Sequence, residues 1–143
     1  SGTVHVVADV EGYLAATGTS NQWVSTTPVR LVDTRSGTAT NSVRTALAAN
    51  AALKVRVAGV SGSPVPAGAT VAVLNLTVAS PQKPGFLTAD ASADGGTSTA
   101  NFSTGQTVAN LVLTRLASDG TATIVNHSAG TVHVIVDAQG YLH

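Results

Sequence analysis

The densest charged cluster in the chain is Pro28–Arg35, PVRLVDTR, in which Asp33 stands between Arg30 and Arg35. A carboxylate flanked by guanidiniums suits one of two tasks. It can fix a strand through charge-assisted hydrogen bonds, or it can present paired charges to a ligand. Side chains alternate in direction along a strand. Asp33 and Arg35 are therefore expected on one face and Arg30 on the other, so any ligand contact here would fall to Asp33 and Arg35. His133 and Asp137 also share a strand face, but four residues of strand place them roughly 13 Å apart, too far to ligate one ion. No EF-hand loop, His-Glu-x-x-His helix or calcium nonapeptide occurs. Neither a metal nor a cofactor is expected.

Catalytic constellations fare no better. The chain has no Cys and no Gly-x-Ser-x-Gly, so neither thiol nor nucleophile-elbow chemistry has a home. Its single Glu, Glu11, has Gln139 as its counterpart in an internal repeat described below, which is not how a catalytic acid is expected to behave. Enzyme activity is not expected. Asn75, Asn101 and Asn110 sit beside apolar residues, where amides usually satisfy backbone groups at strand ends. A Lys–Asn crosslink through Lys54 or Lys83 is disfavoured because Lys54 alternates with core residues and faces solvent. The Asn-x-Ser/Thr triplets at Asn75, Asn101 and Asn126 carry little weight, Asn75 lying in an expected strand.

The aromatic inventory limits carbohydrate binding. Aromatics make up only 3% of residues, so a sugar-stacking platform would have to come from Trp23, Tyr13, Tyr141, Phe86 or Phe102. Trp23 either packs onto a module surface or stacks against a sugar. Tyr13 and Tyr141 occupy equivalent repeat positions and read as plugs at a strand end. Among these residues, Trp23 and Tyr141 join Asp33 and Arg35 as the candidate ligand contacts.

The elements that must carry these residues are strands. In Val71–Val78 the residues Ala72, Leu74, Leu76 and Val78 share a face, and such period-two patterning marks a half-buried strand. Leu53, Val55 and Val57 alternate in the same way, as do Val132, Val134 and Val136. Further strands are expected at 29–34, 85–91, 99–103, 107–116 and 121–126. Asp119-Gly120 is a hairpin signal, and Ser80–Gly85, Ser63–Pro66 and Asp94–Gly96 read as turns. Arg44–Ala52 lacks an apolar stripe at helical spacing and should form no more than a short turn. About eight strands at this spacing predict an all-β fold, an antiparallel β-sandwich, with a jelly-roll or barrel as the variant.

Composition narrows the partners. Seven Lys and Arg balance seven Asp and Glu, so there is no basic stripe for nucleic acid and no polybasic membrane patch. No apolar run approaches the roughly 20 residues of a membrane span. The absence of both Cys and Met suits an oxidising exterior. Secretion or cell-surface display is therefore expected.

An internal duplication is the most informative feature. Ser1–Leu14, SGTVHVVADVEGYL, matches Ala129–Leu142, AGTVHVIVDAQGYL, at nine of fourteen positions, 128 residues apart. A period that long belongs to tandem globular modules rather than to a solenoid. The expected organisation is a terminal strand of a preceding repeat at 1–14, a Gly/Ser/Thr-rich linker at 15–27, and a complete sandwich module at 28–143. Val4, Val6, Ala8 and Val10 carry the pattern of Val132, Val134, Val136 and Ala138. An apolar strand edge recruits partners, so the segment is expected to pair in cis or to complete a neighbouring copy by strand addition.

PVRLVDTR, Val73–Val78 with Pro84–Thr88, NFSTGQTVANLV at 101–112 and HVIVDAQGY at 133–141 together resemble a module of secreted actinobacterial proteins, often in tandem or appended to hydrolases. The resemblance spans residues 28–142 and implies an extracellular accessory role. Two functions follow as expectations. One is a structural or adhesive repeat of a surface stalk or filament, whose partners are neighbouring copies of the module. The other is a carbohydrate-binding accessory module for cell-wall or extracellular polysaccharide.

Overall fold

The structure is a computed structural model that describes residues 22–94 and 97–142, together with Thr3 and Ala8. Eight strands follow in order: β1 (Trp23–Asp33), β2 (Ala52–Arg56), β3 (Val71–Ala79), β4 (Gly85–Asp90), β5 (Ala100–Phe102), β6 (Val108–Arg115), β7 (Thr121–Ser128) and β8 (His133–Leu142). They form two four-stranded antiparallel sheets, β1-β8-β3-β6 and β2-β7-β4-β5. The first strand pairs with the last, the second with the seventh, the third with the sixth and the fourth with the fifth. This is a long antiparallel ribbon rolled on itself, and the β3–β8 and β4–β7 pairs close the roll. The predicted β-sandwich is present, wired as a jelly roll.

The core lies between the sheets and is aliphatic. Leu74, Leu76 and Val78 of β3 and Val134 and Val136 of the adjacent β8 share one buried cluster with Leu87 of β4 and Ile124 of β7 from the other sheet, all at or below 1% exposure. Alternation puts them there, since each is two residues from the next on its strand. Phe102 is the one aromatic ring in this buried cluster, in keeping with the ring-poor composition. Residues 44–52 contain no helix. Leu47 instead makes an isolated bridge to Val132, with N–H···O bonds of 2.8 and 3.0 Å in the two directions.

Strand β1 departs from the expected module boundary. The linker was expected to run to Thr27, yet Trp23, Val24 and Ser25 already pair with Leu142, Tyr141 and Gly140. Between Ser25 and Val29 the strand advances four residues while β8 advances two. The irregularity accommodates Pro28, which has no N–H to give to a ladder. A second shift between Arg30 and Val32 makes Leu31 an extra residue. As a result Leu31, Val32 and Asp33 are all buried in succession.

Candidate functional site

The second bulge changes the reading of the charged cluster. It undoes strict alternation, so Arg30 lies beside Asp33 rather than on the opposite face as expected. Arg30 Nη1 is 3.4 Å from Asp33 Oδ2. Arg30 also grips its cross-strand partner Asp137 with Nε to Oδ1 at 2.8 Å and Nη2 to Oδ2 at 3.2 Å. Asp33 is only 4% exposed. It accepts Arg35 Nε on Oδ1 at 2.9 Å, Arg35 Nη2 on Oδ2 at 2.8 Å, and the Arg35 backbone N–H on Oδ1 at 3.0 Å. The last contact is the turn that Asp side chains favour two residues ahead. The turn is completed by Gly37, whose N–H donates to the Asp33 carbonyl at 2.8 Å from a positive φ of 72°.

The electrostatics follow from this geometry. The Arg35 fork, outweighing burial, holds the Asp33 carboxyl down from 3.8 to about 2, with the Arg35 N–H and the charges of Arg35 and Arg30 adding to the effect. Arg30 and Arg35 are pushed up, chiefly by their hydrogen bonds to Asp137 and Asp33. Two guanidiniums meet two carboxylates, and the cluster is internally neutral. A carboxyl held ionised in this way is no general acid at neutral pH. Next to it, Thr34 Oγ1 accepts the Val134 N–H at 2.9 Å and shares a 3.0 Å hydrogen bond with His133 Nδ1. The Asp-Thr-Arg triplet thus fastens the end of β1 to β8.

The candidate ligand contacts fall apart in space. Asp33 and Arg35 are together, at the end of β1 opposite Trp23. Trp23 is 47% exposed. Its indole lies over Gly140, where a Cβ would come within 3.0 Å of the ring carbons Cη2 and Cζ2. Tyr141 packs against the buried core cluster and pairs with Ala72 of the core, so it turns away from the outward face that carries Trp23. The two rings form no common platform. Of the four strand-pairing residues, Val4, Val6 and Val10 lie outside the described residues. Ala8 is exposed and belongs to no strand.

Other polar groups are engaged as well. Among the described residues no group of three or more His, Asp or Glu side chains could hold a metal ion. His133 turns to Thr34 and Asp137 to Arg30. His127 stacks on Phe86 with ring centroids 4.6 Å apart and planes 12° from parallel, and its Nε2 lies 3.2 Å from Thr88 Oγ1. A surface cavity of about 300 Å³ is lined by Lys54, Arg56, Asp119 and Thr121. The Lys54–Asp119 ion pair, at 2.8 Å, belongs to its lining. Lys54 and the Thr121 hydroxyl hold the Asp119 carboxyl down to about 2.

Sequence reasoning gave Asn126 no structural part. It is wholly buried. Its Nδ2 lies 3.3, 2.9 and 2.8 Å from the carbonyls of Leu47, Ala48 and Gly130, and its Oδ1 accepts Ser128 Oγ at 2.8 Å. Nothing local in the sequence distinguishes it from Asn110, which donates to the Thr99 carbonyl at 2.6 Å as the reading of that residue anticipated, or from Asn101, whose amide reaches the Ser98 hydroxyl rather than a backbone group.

The chain matches no protein-family model, and no curated protein is a significant match.

Proposed function

We propose that the chain carries a non-catalytic extracellular repeat module with a structural or adhesive role, arrayed in tandem with copies of itself on a bacterial surface. The observation that carries this reading is the duplicated segment. Its second copy, Ala129–Leu142, contains all of β8, the strand that lies between β1 and β3 in the first sheet. A stretch with the same sequence pattern at 1–14 is what the end of a preceding module would contribute. The absence of Cys and Met and the balanced charge support an extracellular setting. The charged cluster supports a non-catalytic role, because its donors and acceptors are spent on one another.

The test is to delete residues 1–14 and compare molar mass by light scattering. An oligomeric full chain and a monomeric deletion would establish assembly by strand addition. Equal monomers with equal stability would leave residues 1–14 as an inert remnant and remove assembly from the proposal. A second reading, a polysaccharide-binding accessory module, draws on the half-exposed Trp23. Pull-down on insoluble cell-wall polysaccharide that disappears in Trp23→Ala would favour it over the first.

A further inference from the structure

Three large apolar side chains are exposed among the described residues: Trp23 at 47%, Leu111 at 55% and Leu113 at 46%. All three lie on the outward face of one sheet. On β6, Val112 and Thr114 are buried, so Leu111 and Leu113 point outward. Leu113 pairs with Val73, and Val73 pairs on its other side with Gly140. Val73 stands between the core residues Ala72 and Leu74 and outside the buried cluster, which sets it on the outward face. Trp23 covers Gly140 on that face. The line Trp23–Gly140–Val73–Leu113 therefore crosses β1, β8, β3 and β6 in order, over roughly 14 Å at about 4.8 Å per strand; Gly140 and Val73 in its middle are buried, and the exposed apolar surface lies at its two ends, Trp23 on β1 and Leu111 with Leu113 on β6.

We infer that this face docks a second copy of the module, the one tethered next to it in the tandem chain. The inference rests on the tandem reading proposed above. Three observations choose this occupant. First, Trp23 opens β1 and Leu142 closes β8, and the two are cross-strand partners. Any module joined on either side is thus attached at the corner of the apolar strip. Second, the duplicated segment ends at Leu14, leaving eight residues, 15–22, before Trp23. At about 3.3–3.6 Å per residue they reach no farther than roughly 28 Å, which keeps the neighbouring module beside this one and spans the roughly 14 Å strip. Third, the exposed apolar surface is small. Three half-exposed large side chains offer on the order of 300 Å², taking about 150–250 Å² for each in full. A free dimer needs about 800 Å² per partner. A short tether supplies millimolar effective concentration and makes the smaller area sufficient. The charged side chains of this face are already paired, Arg30 with Asp137 and Arg115 with Asp90, so the face offers little ionic attraction to an acidic polymer.

The experiment uses the full chain extended by its own repeat, residues 1–142 followed directly by 15–142, which holds two modules. Its radius of gyration by small-angle scattering should be about 19 Å if the modules dock, against about 25 Å for a flexible pair. Leu111→Thr with Leu113→Thr in both copies should raise it to the larger value, and β-branched Thr keeps the strand preference. A melting curve of each protein confirms that both modules fold. A wild-type value of about 25 Å with both modules folded overturns docking and leaves the tandem reading intact. A compact particle in both proteins overturns this face as the interface. Failure of the appended module to fold overturns the tandem reading itself, and the inference with it.

Discussion

Replacing Asp33 by Asn keeps the shape of the side chain and removes its charge. In the native protein that carboxylate accepts three hydrogen bonds from Arg35 at 2.8–3.0 Å and lies 3.4 Å from Arg30. Its pKa falls from 3.8 to about 2. At 1.36 kcal/mol per unit the fall corresponds to about 2.4 kcal/mol of native-state stabilisation. The arginine side chains are nearly half exposed, at 45% and 49%, and water screens the pair, so about 1–2 kcal/mol is expected. The sign follows from proton counts. The folded pKa lies below the unfolded one, so the native state binds fewer protons between them. The contribution is complete above about pH 5, falls to roughly half near pH 3, and is nearly gone at pH 2. Urea unfolding of wild type and Asp33→Asn at pH 7, 5, 3 and 2 measures it. Asp90 and Asp119, whose pKa values are also lowered, are present in both proteins and cancel in the difference. A gap under about 0.3 kcal/mol at pH 7, or one that does not change with pH, would refute the structural role given to this carboxylate.

Asn126→Ala leaves the buried Leu47, Ala48 and Gly130 carbonyls without their amide, and urea unfolding should show a loss of about 3 kcal/mol or more. Gly140→Ala places a methyl 2.7 Å from the Val24 carbonyl oxygen and against the Trp23 indole. It should cost about 1–3 kcal/mol and shift the Trp23 fluorescence maximum, whereas an unchanged spectrum would mean that the indole does not rest there. Thr34→Val removes the acceptor of the Val134 N–H and should lower stability by about 1–2 kcal/mol in the same assay. Because the first strand pairs with the last, refolding should take milliseconds to seconds in stopped flow, and a microsecond phase carrying the full amplitude would contradict this wiring.

The strands were legible because their signal is local. Alternation in Val71–Val78 and Leu53–Val57, with Asp119-Gly120 between β6 and β7, located elements to within a few residues. The pairing of β1 with β8 was not legible, since no local pattern chooses between remote partners. The bulge at Leu31 was equally hidden. Period-two logic sent Arg30 to the wrong face, and only the register against Asp137 and Val136 corrects it. Trp23 was assigned to a linker because residues 15–27 are Gly/Ser/Thr-rich, yet two extra residues absorb Pro28 and the strand continues through it. Asn126 resembles every other Asn in composition and neighbourhood. Its role depends on Leu47, Ala48 and Gly130 converging on it through the fold.

The pairing of Trp23 with Leu142 also governs how the module responds to force. A domain whose ends leave from opposite poles is loaded in shear, and many hydrogen bonds must break together. Here Trp23 and Leu142 share one corner, so tension applied through the proposed tandem chain would pull β1 away from β8 like the two halves of a zipper. The rungs then break one after another, beginning beneath the Trp23 indole. The Arg30–Asp137 and Asp33–Arg35 contacts lie at the far end of the same seam and are the last to be reached. An array of such modules would lengthen under load by successive small openings, and would close again from the charged end when slack returned.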